Sequence, residues 1–100
     1  MGERFSIDLT KTAHGHLEAL CRHDRNRVLD VIKEQLTYSP DEETRNKKVL
    51  RKNPVADWEL RVHPFRVFYE VDTVNKVVRV LAIGVKDRDR LIIGGKEIQL

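Results

Sequence analysis

The sequence predicts an α+β domain: an N-terminal strand, an αα-hairpin, then an antiparallel three-stranded meander with a C-terminal extension. Helical spacing of apolar residues runs from Ala13 to Leu36, and strict alternation takes over at Trp58. At 100 residues, 40% hydrophobic and 35% charged, the chain has room for one core under a wet surface, so residues 1–100 are expected to form a single domain.

Each element follows from its local pattern. Phe5, Ile7 and Leu9 alternate with Ser6 and Asp8, giving a short strand with one buried face. Thr10 can cap the next helix, where Ala13, Leu17, Leu20 and Cys21 form one apolar stripe and place Cys21 in the core. Asp24 is a second N-cap signal; Val28, Val31, Ile32 and Leu36 continue helical spacing until Ser39-Pro40 stops it. Residues 40–56 read as a polar connection, acidic and then basic, with Val49 and Leu50 pinning it to the core. Trp58, Leu60 and Val62, then Phe65, Val67, Tyr69 and Val71, are two alternating runs around His63-Pro64. A two-residue loop puts Arg61 opposite Arg66; because His-Pro is not a usual pair for such a hairpin, a longer loop is the alternative. Val77 to Val85 is apolar enough for a central strand covered on both faces, and Gly94-Gly95 suggests a small terminal hairpin.

With the two-residue loop, Trp58, Leu60, Val62, Phe65, Val67 and Tyr69 share the face packed under Leu17, Leu20, Val28, Ile32 and Leu36. Glu59, Arg61, Arg66, Phe68 and Glu70 share the other. A slip of one residue would bury the arginines instead.

Charge is uneven. Residues 1–43 carry six Lys/Arg against nine Asp/Glu, residues 44–66 seven against two, and residues 67–100 six against five. The basic block attracts polyanions or acidic peptides, or is a solvated lysine-rich loop. Arg61 and Arg66 on a rigid strand pair suit phosphate, with Phe68 offered for base stacking; an exposed Arg/Glu lattice is the plainer alternative. Lys86, Arg88 and Arg90 after the last strand would widen the surface, and Arg45, Lys47, Lys48, Arg51 and Lys52 would add RNA contacts from the connection. Glu59 and His63 are the candidate acid–base groups.

Other chemistries find no support in the pattern. His14, His16, Cys21 and His23 do not converge on a helix, so neither a metal nor another cofactor is expected. One cysteine excludes an internal disulfide, and no long apolar run suggests a signal peptide or a membrane span. A cytoplasmic location is the expectation.

The segments WELRV-HPFRVFYEVD and VVRVLAIGVKDRDRL, in this order after a strand and two helices, resemble the RelE/ParE superfamily of type II toxin–antitoxin toxins. The resemblance covers nearly the whole chain. It implies a small antiparallel sheet on an αα-hairpin and a cognate antitoxin as partner. RelE-like members are metal-independent endoribonucleases that cut messenger RNA on the ribosome and inhibit translation, orienting the 2′-hydroxyl against the neighbouring phosphate. By position the resemblance gives Arg61, Arg66, Lys86 and Arg88 catalytic roles. Asp57 and Glu59 stand where RelE has two lysines, and Ile92 where it has a tyrosine. ParE-like members instead bind DNA gyrase without being enzymes; an inactive relative would keep only antitoxin binding and operon regulation.

Overall fold

A computed structural model describes residues 3–100. The elements are β1 (Ser6–Leu9), α1 (Lys11–Glu18), α2 (Arg22–Leu36), β2 (Lys47–Val49), β3 (Trp58–Val62), β4 (Phe65–Asp72), β5 (Val77–Asp87), β6 (Arg90–Ile93) and β7 (Lys96–Ile98). Among the described residues the strands form one sheet in the order β2-β3-β4-β5-β6-β7, with β1 parallel to β5. The α+β architecture expected from the sequence is the one observed.

The long β5 organises the sheet. One edge pairs with β4; the other is divided, Val77–Val80 pairing with β1 and Gly84–Asp87 with β6. The gap between these two partners is filled by α1, from its N-cap and its last turn. The Thr10 hydroxyl donates to Leu81 O at 3.2 Å, and the Ile83 amide donates to His16 Nδ1 at 3.1 Å. Thr10 also caps α1, its Oγ1 accepting from Ala13 N at 3.1 Å. Across β5 the register passes from Phe68↔Ala82 to Tyr69↔Val80, leaving Leu81 as an unopposed bulge residue.

The hairpin register follows from alternation: Val62 pairs with Phe65 and Arg61 with Arg66, so the loop is His63-Pro64 alone, with a cis peptide. Leu60, Val62, Phe65, Val67 and Tyr69 are buried beneath Leu17, Val28, Ile32 and Leu36, with Trp58 and Leu20 packed half-buried at the margin. The Arg27 guanidinium ties α2 to the hairpin tip, donating to His63 O at 2.8 Å and lying 5.7 Å from the Phe65 ring centre.

A second cluster covers the other face of the sheet: Ala56, Phe68, Ala82 and Leu91, joined by Leu50, Val55, Leu81, Ile93 and Ile98. The loop before β3 and the β6–β7 hairpin bring these residues there. Asn53 shapes the loop, its Oδ1 accepting from Val55 N (2.8 Å) and Ala56 N (3.1 Å) while its Nδ2 donates to Ala56 O (2.9 Å).

Four expectations need correction. The connection 40–56 contains a strand, β2, paired with β3 from Lys47↔Leu60 to Val49↔Trp58. Only Leu50 of its apolar pair packs inward; Val49 is 52% exposed, because β2 is an edge strand and Val49, opposite half-buried Trp58, lies at the margin of the sheet. Helix α2 begins at Arg22, so Asp24 sits in its first turn, where a carboxylate still favours the helix dipole. Cys21 is exposed at the N-cap position, its thiol donating to Asp24 Oδ2 at 3.4 Å. The break between the helices therefore falls on the apolar stripe and turns its last member outward.

Candidate functional site

The β3–β4 hairpin sets Arg61 directly across from Arg66 and puts Glu59 on the same face, two residues before Arg61. Two guanidiniums this close repel unless a negative charge lies between them. Glu59 supplies it: Oε2 is 3.2 Å from Arg61 Nε, and Oε1 is 3.6 Å from Arg66 Nε. The side chains of Glu59, Arg66 and Arg61 are 11%, 14% and 47% exposed, so the first two form a shielded pair while Arg61 reaches water. Burial pulls the Arg66 pKa down and Glu59 opposes this, with Arg61 pulling the same way as burial. A guanidinium stays charged under such pressure.

Two further cations join this face. Lys48 in β2 pairs in register with Glu59, so its side chain springs from the adjacent position on the same side. Lys86 follows Gly84 by two residues on β5, and Gly84 is the partner of Arg66. A Cβ at Gly84 would lie 3.0 Å from the Ile93 side chain and 3.1 Å from Leu91, so glycine is what lets β6 close over this end. There Glu59, Lys86, Asp89, Leu91, Glu97 and Ile98, with Gln99 and Leu100, line a cavity of about 250 Å³. The hairpin tip is stitched beside it, the Lys86 amide donating to Pro64 O at 2.8 Å.

The remaining sequence-predicted residues divide. Arg88 is exposed in the β5–β6 turn with φ +57°, and Arg90 is held by Glu97 at 3.0 Å on the rim. Arg45, Arg51 and Lys52 are exposed in the loops on either side of β2. His63 is exposed at the hairpin tip.

Lys47 and Phe68 do not meet the expectation. Lys47 is 5% exposed, its Nζ donating to Ser39 O at 2.8 Å and Gln35 O at 3.2 Å. It closes the carbonyl end of α2 and is spent on that task. Burial lowers its pKa, while Glu42 and Asp41 act against the shift. Phe68 is wholly buried in the second cluster and has no free ring face for a base. Sequence reasoning also missed the contribution of the C-terminal hairpin. Its signal was the spacing of Leu91, Ile93 and Ile98, whose register carries all three to the Phe68 side.

Among the described residues no group of three or more His, Cys, Asp or Glu is placed to hold a metal, and no helix is long and apolar enough to cross a membrane. Residues 7–90 match the family model of the ParE toxin of type II toxin–antitoxin systems. The chain belongs to this family. It is accordingly a toxin of a type II toxin–antitoxin system, within the RelE/ParE superfamily. Its fold is similar to a chain in the crystal structure of the toxin–antitoxin complex RelBE2 from Mycobacterium tuberculosis, with TM-score 0.73 and 21% identity over 84% of this chain and 93% of the other. It is also similar to a chain of the archaeal RelE–RelB complex from Pyrococcus horikoshii OT3, with TM-score 0.68 and 22% identity over 85% of this chain and 98% of the other. A search of curated proteins gave no match.

Proposed function

We propose that this toxin is a metal-independent endoribonuclease acting on ribosome-bound messenger RNA, with Glu59 as general base and Arg61, Arg66 and Lys86 as its cationic partners. The observation that carries the reading is the shielded Glu59 carboxylate set against two guanidiniums, bordering a cavity that it shares with Lys86. Arg61, the more exposed guanidinium, exchanges its carboxylate for an incoming phosphate, and Arg66 stabilises the charge that develops there. Glu59 takes the 2′-hydroxyl proton, the 2′-oxygen attacks phosphorus, and the 5′-oxygen departs with a proton from Lys86, leaving a 2′,3′-cyclic phosphate. Lys48, Arg88 and Arg90 contribute attraction to the RNA backbone, as do Arg45, Arg51 and Lys52. His63, at the tip and outside the cavity, has a lesser claim to the acid–base role.

The test is primer extension on messenger RNA after induction, for the parent and for Glu59→Gln. Cleavage by the parent and its loss in the variant support the reading. A second reading is gyrase binding without catalysis, favoured by the sealing of Phe68, which takes away the stacking surface a ribonuclease would use. Growth arrest with intact messenger RNA and gyrase recovered on the toxin would establish it.

A further inference from the structure

The cavity beside Glu59 has two unlike sides. One is ionic, with Glu59 and Lys86; the other is aliphatic, with Leu91, Ile98 and Leu100. Sheet register builds the aliphatic side. Lys86 pairs with Leu91 and Leu91 with Ile98, so the three side chains stand in one row across β5, β6 and β7. The row lies on the face of Arg66, because Lys86 follows by two residues the Gly84 that pairs with Arg66. Leu91 joins Phe68 in the second cluster, while Ile98 is half-buried and Leu100 is 42% exposed, so the outer end of the row stays open to a ligand. The volume, about 250 Å³, lies below the roughly 300–1,000 Å³ of sites that enclose a drug-sized molecule, and suits a single ring system. Carboxylates outnumber cations in the lining, Glu59, Asp89 and Glu97 against Lys86, which turns a phosphate away. Among the described residues these carboxylates do not gather as a metal site. What fits is a neutral flat group with apolar faces and a polar edge, and in RNA that is a base.

We propose that the cavity is a nucleobase subsite, in which Leu91, Ile98 and Leu100 hold the base of the leaving nucleotide. The inference deepens the ribonuclease reading of the same site and rests on it. The phosphate stays outside, at Arg61 and Arg66. Lys86 protonates the departing 5′-oxygen and stands in the same row as Leu91 and Ile98. The nucleotide attached to that oxygen is therefore the one whose base reaches the row. None of the lining residues is aromatic, and Phe68 is sealed within the second cluster. Aliphatic side chains cover the base instead, as apolar side chains do in pockets that take a flipped base. The β6–β7 hairpin thus supplies the contact that the buried Phe68 cannot. Binding of this base positions the neighbouring phosphate against Glu59 and Arg66 without touching the reacting atoms.

The test uses the full chain and an RNA dinucleotide whose 2′-hydroxyl next to the phosphate is replaced by hydrogen, so that it binds and is not cut. Methyl signals of Leu91, Ile98 and Leu100 should shift in NMR spectra on titration. Removing the base of the 3′ nucleotide should abolish these shifts and weaken binding about tenfold. Removing the 5′ base should leave the shifts in place. The double variant Ile98→Ala/Leu100→Ala changes two side chains that are not fully buried, so the fold should tolerate it. It should raise KM for ribosome-bound messenger RNA about tenfold, while kcat falls far less. Methyl signals that stay still, or that respond equally without the 3′ base, overturn the inference, as does a parent-like KM in the folded variant. Shifts that depend on the 5′ base instead overturn it too. If the parent cuts no messenger RNA, the ribonuclease reading falls, and the base dependence of the methyl shifts still decides whether the cavity takes a base.

Discussion

The two faces of the sheet are buried by different means. On the helix side, α1 and α2 lay continuous apolar stripes over Leu60, Val67, Tyr69 and their neighbours. On the opposite side Phe68, Ala82 and Leu91 are covered piecemeal, by the loop around Asn53 and by the β6–β7 hairpin. That second layer ends at Glu59, where ion pairs replace apolar contacts and a cavity opens. The contrast teaches where chemistry fits in a small domain. The helix-covered face is committed to stability, and polar groups can be held rigidly without being sealed only where the thinner layer ends.

Substitutions test this contrast in descending order of effect. Phe68→Ala should lower unfolding free energy by about 4 kcal/mol in urea denaturation, as much as Leu60→Ala on the helix side. A cost near 1 kcal/mol would mean that the thinner layer is not a core. Glu59→Gln leaves Arg66 shielded without its counter-charge and should cost about 2 kcal/mol, whereas Arg61→Ala, at the exposed end of the same cluster, should cost less than about 1 kcal/mol. Equal costs would deny the difference between the shielded and exposed partners. Lys47→Met removes two hydrogen bonds at the end of α2 and should cost about 1–2 kcal/mol while leaving cleavage per folded molecule unchanged.

The smallest effect is a pH dependence. The Tyr69 hydroxyl donates to Pro40 O at 2.8 Å, and burial, with Asp41 adding to it, pushes its pKa well above the ordinary 10.0. The folded protein then holds this proton more tightly than the unfolded chain does. The resulting stability is complete below pH 10.0 and is lost as pH rises above it. Lys47, with its lowered pKa, works in the opposite sense in both proteins being compared. Tyr69→Phe should therefore flatten the alkaline fall in melting temperature relative to the parent, and an unchanged slope would contradict the assignment.

Much of the fold was legible because alternation around His63-Pro64 fixes which residues of β3 and β4 face the helices. The Arg61–Arg66 pairing follows from that register alone. Less legible was anything set by contacts distant in sequence. Lys47 and Lys48 are neighbours in a basic run, yet β2 pairing sends one beneath α2 and leaves the other beside Glu59. Phe68 carries the same alternation signal as an exposed residue, and only the return of Leu91 and Ile98 buries it. Cys21 sits on a helical stripe that the chain breaks at that point. For the lysines and Phe68 the deciding partner lies outside the local window in which periodicity can be read, and for Cys21 it is the helix break itself.

The most direct test of the account is single-turnover cleavage of ribosome-bound messenger RNA by the parent and by Arg66→Ala, with ribosome binding measured alongside. Arg66 is held by Glu59 on a rigid strand, so its loss should slow cleavage on the order of a hundredfold, about 3 kcal/mol of transition-state stabilisation, and change binding far less. A parent toxin that arrests growth while cutting no messenger RNA, and an Arg66→Ala variant that remains fully toxic, would contradict it.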